Sequence, residues 1–172
     1  MITIVLTGPE STGKSLLSEF LAKKLDGIWI PEFAREYISK INRPYTYSDL
    51  EFIAKTQINQ RKVAERKVKE FLILDTWLII TKIWFIEVYE RFPEWIDETI
   101  NNYPVDLYLL CEPDIPWVPD PLRENGGERR NYLFRRYFDE IMKTGVPYEI
   151  VSGVNDGRYN NALNKVKMNF MN

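Results

Sequence analysis

The stretch "ITIVLTGPESTGKSLL", residues 2 to 17, constrains this chain more than any other. A short apolar run leads into Gly8, Gly13, Lys14 and Ser15, and an amphipathic continuation follows, so the order is strand, G-x-x-x-x-G-K-[ST], helix. That order predicts a phosphate-binding loop. Gly8 and Gly13 let the backbone curl until its N–H groups converge on an anion, with Glu10, Ser11, Thr12 and Leu16 completing the cradle. Lys14 then brings a point charge to the β and γ phosphates, and the Ser15 hydroxyl is the first ligand for Mg²⁺. ATP and Mg²⁺ are the expected cofactors.

Four more apolar runs recur along the chain: "GIWI" (27 to 30), "FLILD" (71 to 75), "DLYLLC" (106 to 111) and "YEIV" (148 to 151). Without strict polar alternation they read, like "ITIVL", as strands buried on both faces, the mark of a parallel sheet in an α/β fold. Helical patterns fill the gaps. Leu17, Leu21 and Leu25 repeat at helical spacing, "SDLE" (48 to 51) reads as a capping box, and Leu133, Tyr137 and Ile141 form a stripe beside Phe134, Phe138 and Met142. Both stripes are expected to face a core. The apolar stretch 72 to 89 contains Asp75, Lys82 and Glu87, costly in lipid, and reads as a buried strand and helix rather than a membrane span. The expectation is a single domain over 1 to 172, a three-layer sandwich on a five-stranded parallel sheet.

Composition excludes whole classes of chemistry. With no histidine there is no Ser-His-Asp triad, no His-ligated zinc and no HxGH nucleotidyltransferase motif. Carboxylates, Lys, Arg and an oxygen-liganded metal must suffice. A net charge of -2 gives no electrostatic reason to expect nucleic-acid or membrane partners. Cys111 is the one cysteine, so no intrachain disulfide forms, and the start of the chain runs too quickly into the glycine loop to be a signal peptide. A cytoplasmic protein acting on a small molecule is the default reading.

A metal site needs a second ligand at the end of another buried strand, and Asp75, closing "FLILD", fits. The alternative role for Asp75 is a helix N-cap. A GTPase would need a guanine-reading NKxD, and "NKVK" (164 to 167) lacks the acid, so a small-molecule kinase is the best reading. Such an enzyme needs polar groups at the end of the strand beside the loop and a basic lid over the transferring phosphoryl. After "GIWI", Glu32, Arg35 and Glu36 stand at helical spacing, with surface ion pairing as the bland alternative. Glu32 is suited to orienting or deprotonating an acceptor hydroxyl, and Arg35 to binding a phosphoryl or substrate oxygen. The lid candidate is the Pro-rich loop with its flank, about 112 to 130, carrying Arg123, Arg129 and Arg130. Arg123 is the expected catalytic arginine. Trp77 is a candidate for stacking on a flat acceptor ring, with core packing the alternative; Trp84, Phe85 and Cys111 read as core.

Taken in order, "TGPESTGKS", "PEFAREY", "LDTW", "YPVDLYLLCEPDIPWVPDPLR" and "VPYEIVSG" resemble the ribosylnicotinamide kinase domain of NadR-type NAD-biosynthesis proteins over nearly the whole chain. The resemblance implies a P-loop kinase-like fold with an Arg-bearing lid, and transfer of the ATP γ phosphoryl to the 5′-hydroxyl of nicotinamide riboside. It implies Gly8, Gly13, Lys14 and Ser15 for ATP and Mg²⁺, Glu32 and Arg35 at the riboside, Asp75 near metal and hydroxyl, and Asp120 with Arg123 in the lid. Three positions depart from the family pattern: Trp77 stands in place of the second acid of D-T-D, Pro121 replaces the lid glycine, and Pro31 replaces an aromatic before the Glu. Longer members carry an adenylyltransferase domain, and a chain without histidine is not expected to perform that step by the usual motif.

Overall fold

In a computed structural model, which describes residues 1–171, all five apolar runs are strands: β1 (Ile2–Thr7), β2 (Ile28–Ile30), β3 (Phe71–Asp75), β4 (Leu107–Cys111) and β5 (Tyr148–Val151). They pair in parallel in the order β2-β3-β1-β4-β5. Alternation within each strand sends side chains to two different cores. Val5, Leu72, Leu74, Tyr108 and Leu110 face one side; Ile4, Leu6, Ile73, Leu107 and Leu109 face the other. Because both faces are apolar, the strands read as unbroken hydrophobic runs.

The first core is closed by α2 (Phe33–Lys40), α3 (Tyr47–Glu65), α4 (Leu78–Tyr89), α5 (Trp95–Asn102) and α6 (Glu128–Thr144). The second is closed by α1 (Lys14–Lys24) and α7 (Asn155–Phe170), with Leu17, Leu21, Ala162 and Val166 fully or almost fully buried. The three-layer expectation therefore holds. The strand order reverses about β1, and in open sheets of this kind the crevice at the carboxyl ends of such strands is where ligands bind. No helix among the described residues is long and apolar enough to cross a membrane.

Two local expectations need correction. The capping box of α3 starts earlier than "SDLE": the Asp49 carboxylate accepts the Thr46 N–H and the Thr46 hydroxyl, both at 2.7 Å, so Thr46 is the cap. Arg43 and the Tyr37 hydroxyl converge on the same carboxylate, which fixes the loop ahead of α3. In α6, Leu133, Tyr137 and Ile141 are buried as the stripe predicts, but Met142 is exposed because it has rotated past the core-facing edge of the helix.

Candidate active site

The phosphate loop is shaped by close approach. Gly8 has φ +149, and a Cβ there would lie 2.7 Å from the Cys111 carbonyl oxygen, so a larger residue would push β1 and β4 apart. Gly13, at φ +75, caps α1 in the left-handed conformation. Within the loop the Pro9 carbonyl accepts the Thr12 hydroxyl at 2.9 Å and the Lys14 ammonium at 2.7 Å. Lys14 is thus curled over the loop, as a P-loop lysine must be to reach terminal phosphates.

Beside it stands Asp75. The residue is 2% exposed, and neither carboxylate oxygen has a hydrogen-bond partner of normal geometry. Burial pushes its pKa up, while the Ser15 hydroxyl, the Lys14 ammonium and the Glu32 backbone N–H pull it back. A buried, orphaned carboxylate facing a P-loop serine suits an oxygen-liganded cation such as Mg²⁺, which takes one or two protein oxygens and fills its remaining positions with phosphates and water. Asp75 does not cap α4: Trp77 holds the N-cap position and no side chain bonds there. Thr76, between them, adopts φ +74. For a β-branched residue this is strained, at a cost on the order of 1–3 kcal/mol.

That turn decides the fate of Trp77. Instead of reaching the cleft, its ring is 2% exposed and lies beneath the Arg61 guanidinium, 5.1 Å from ring centroid to Arg61 Cζ, with Tyr103 beyond. Trp77 is a core residue, so the ring-stacking role expected for it is withdrawn.

A cleft of about 460 Å³ opens from the loop. Gly8, Glu10, Ser11, Gly13, Lys14, Ser15 and Leu16 line one end, and Glu32, Arg35 and Arg123 stand along it. Glu32 is the N-cap residue of α2 and projects from the end of β2. Burial raises its pKa to about 7, opposed by Lys14 and Arg35 and reinforced by Asp75 and Glu10. Glu36 does not join it, turning outward to pair with Lys40. Ile38, Tyr45, Ile80, Ile83, Trp84 and Tyr137 also line the cleft. Tyr45 and Trp84 meet edge to face, their centroids 4.9 Å apart.

The 112–127 loop, which has no helix or strand, closes over this cleft and is tied down at several points. Glu10 accepts the Glu124 and Asn125 N–H groups at 3.0 and 2.8 Å. Arg130, buried at the start of α6, donates to the Ile115 and Ser11 carbonyls at 3.0 and 2.8 Å. Asp120 pairs with Arg35 and accepts the Leu122 N–H, contacts that hold its carboxyl below the usual range. Arg123 lines the cleft and donates to the Val118 carbonyl. Arg129 also lines it, held by Glu87 at 2.5 Å, while the Tyr132 hydroxyl and Arg136 complete that carboxylate's partners.

The structure thus brings Lys14, Ser15, Glu32, Arg35 and Arg123 to one cleft, with Asp75 buried against Ser15 and Lys14 and Trp77 outside it. Sequence reasoning missed the wall formed by Tyr45, Trp84 and Tyr137. One signal was available: Glu87 is the one acid in the mostly apolar α4, on the face of that helix that turns to the cleft, while Lys82 pairs elsewhere with Asp97 and Glu140.

Comparison with known proteins agrees with this architecture. The AAA_28 model, described as an AAA domain, matches residues 3–158. The trifunctional NAD biosynthesis/regulator protein NadR of Salmonella typhimurium is 28% identical over 172 residues, an alignment spanning 96% of this chain and 42% of that protein. The chain therefore spans less than half the length of this relative. Among solved structures, a NadR protein in complex with NR superposes with a TM-score of 0.81 at 21% identity, over 99% of this chain and 51% of that one. A deoxyadenosine kinase from M. mycoides superposes with a TM-score of 0.67 at 16% identity, over 97% of this chain and 100% of the other, so the fold is that of P-loop kinases. With the family model covering most of its length, the chain belongs to the AAA_28 family of AAA domains, and nearly all of it is similar to part of the NadR proteins.

Proposed function

We propose that this chain is an ATP-dependent kinase that phosphorylates the 5′-hydroxyl of nicotinamide riboside, giving nicotinamide mononucleotide. The observation that carries the reading is the position of Glu32. It lines the same cleft as the phosphate loop, Tyr45, Trp84 and Tyr137, lies near enough to Lys14 and Asp75 to feel both charges, and has its pKa raised to about 7. A general base is most effective when its pKa lies near the working pH.

In this reading Lys14 and the loop N–H groups hold the β and γ phosphates, and Ser15 and Asp75 hold Mg²⁺. When bound, that cation neutralises charge on the phosphate oxygens and orients them for in-line attack. Glu32 accepts the proton of the acceptor hydroxyl as its oxygen bonds to the γ phosphorus and the bond to the β–γ bridging oxygen breaks, releasing ADP. Arg123 stabilises charge on the transferring group, and Arg35, oriented by Asp120, binds an acceptor oxygen. Trp84, which lines the cleft and meets Tyr45 edge to face, is the ring proposed to take a flat acceptor base. A pyridinium gains a cation–π term there that a neutral base does not. Support from similarity is that the NadR structure of the same fold was obtained with NR.

The test is an acceptor panel. With Mg²⁺-ATP fixed, nicotinamide riboside and the common ribo- and deoxyribonucleosides are offered separately, and products are identified by mass spectrometry. The proposal expects the highest kcat/KM for nicotinamide riboside, and Trp84→Ala should raise its KM more than it lowers kcat. A neutral nucleoside turned over faster would retain the kinase and displace the acceptor. Absence of product from every acceptor, with ATP still bound, would favour a nucleotide-sensing role.

A further inference from the structure

We infer that Gln57 is a positioning residue that holds Thr76 in its left-handed turn and so fixes the aim of the Asp75 carboxylate. The inference rests on the proposed function only in assigning Asp75 to the cation beside the phosphate loop.

Thr76 is buried and takes φ +74, a conformation that β-branched residues rarely adopt. Its N–H donates to the Leu6 carbonyl at 3.1 Å, one residue past the Leu6–Asp75 pairing, so the backbone is anchored on the β1 side. Gln57, on α3, supplies the other anchor. Its Nε2 donates to Thr76 Oγ1 at 3.3 Å, and its Oε1 accepts the Thr81 hydroxyl of α4 at 3.3 Å. All three side chains are buried, at 5%, 4% and 3% exposure for Gln57, Thr76 and Thr81.

A buried amide is costly unless both of its ends are satisfied. Here both ends go to threonines that bracket the start of α4, and Gln57 itself contributes no surface to the cleft. The chain Thr81–Gln57–Thr76 therefore joins α3 and α4 to the single turn that separates the metal-side carboxylate from the helix carrying Ile80, Ile83 and Trp84. Without it, the turn relaxes toward negative φ and the carboxylate loses its aim. Ligand-orienting partners of this kind commonly set metal affinity.

The experiment is calorimetric titration of Mn²⁺ into protein holding the non-hydrolysable analogue AMP-PNP, which reads metal affinity without turnover. Gln57→Leu is expected to weaken Mn²⁺ binding by about tenfold or more, with metal-free AMP-PNP affinity unchanged. Thr76→Val keeps the shape and the φ requirement but lacks the hydroxyl, and should behave alike; it serves where Gln57→Leu destabilises the fold. In a Thr76→Gly background the turn needs no holding, so adding Gln57→Leu should change Mn²⁺ affinity by less than about twofold. Unchanged Mn²⁺ affinity in both single variants, or an equal loss in the glycine background, overturns the inference. AMP-PNP binding with no metal dependence in the unmodified protein would remove Asp75 from the metal and the inference with it. Failure to phosphorylate the riboside while Mn²⁺ dependence persists would count against the proposed function alone.

Discussion

Replacing Glu32 by Gln should make the ligand-free protein more stable at alkaline pH and less active. Glu32 has an ordinary value of 4.5 and a folded value of about 7, raised chiefly by burial. For an acid shifted upward, the folded state holds its proton more tightly than the unfolded one, so stability is fully present below pH 4.5 and falls as pH rises through 7. The difference between 4.5 and about 7 corresponds to about 3 kcal/mol at pH 8, an upper figure because the open cleft leaves the residue some solvent contact. In a chain of 172 residues, 1 kcal/mol moves Tm by roughly 2–4 °C, so the loss amounts to as much as about 6–12 °C. Glu32→Gln cannot ionise and should escape this loss. Melting curves at pH 5 and pH 8 should therefore converge at acid pH and separate at alkaline pH, the variant melting higher. Asp75 remains in both proteins, so the part of its upward shift that comes from its own burial, the largest cause, cancels in the difference. Parallel pH dependence in the two proteins would refute the assignment of a buried, half-titrated carboxyl to Glu32.

Three further changes test other parts of the site and its support. Gly8→Ala places a Cβ 2.7 Å from the Cys111 carbonyl at φ +149, and urea denaturation should show a loss of roughly 2–6 kcal/mol together with loss of nucleotide binding. Arg123→Ala should lower kcat by about 10³ or more while ATP affinity, measured by calorimetry, stays near that of the unmodified protein. Arg61 is 1% exposed and donates to the Tyr103 and Pro104 carbonyls at 3.1 and 2.6 Å. Arg61→Met keeps the aliphatic stem but strips those acceptors and Glu65 of their donor, at a cost of roughly 2–4 kcal/mol by chemical denaturation.

The sheet and the phosphate loop were legible because each is written in contiguous residues. Strands buried on both faces appear as apolar runs, and a loop that must approach β4 closely at Gly8 can spell that position only with glycine. The lid was legible for a different reason: four prolines and paired glycines in residues 111 to 127 leave no regular structure to compete with a loop. The acceptor wall was not legible. Trp84, Ile83 and Tyr137 lie on helices whose apolar stripes serve the core and the cleft at once, and periodicity carries no mark of where one ends. Tyr45 sits in a loop placed by the Arg43, Tyr37 and Thr46 contacts to Asp49, which are tertiary or register-dependent. Trp77 misled because its direction depends on a left-handed threonine, a choice that residue identity argues against.

The most direct test of the central claim is a single-turnover reaction of the protein with Mg²⁺, nicotinamide riboside and ATP bearing ¹⁸O on its γ phosphoryl, run beside Lys14→Ala. The account predicts nicotinamide mononucleotide with the labelled phosphoryl on its 5′ oxygen, formed by the unmodified protein and not by Lys14→Ala. Equal product from Lys14→Ala would contradict the assignment of the phosphate loop, and a labelled phosphoryl found only in inorganic phosphate would contradict transfer to the riboside.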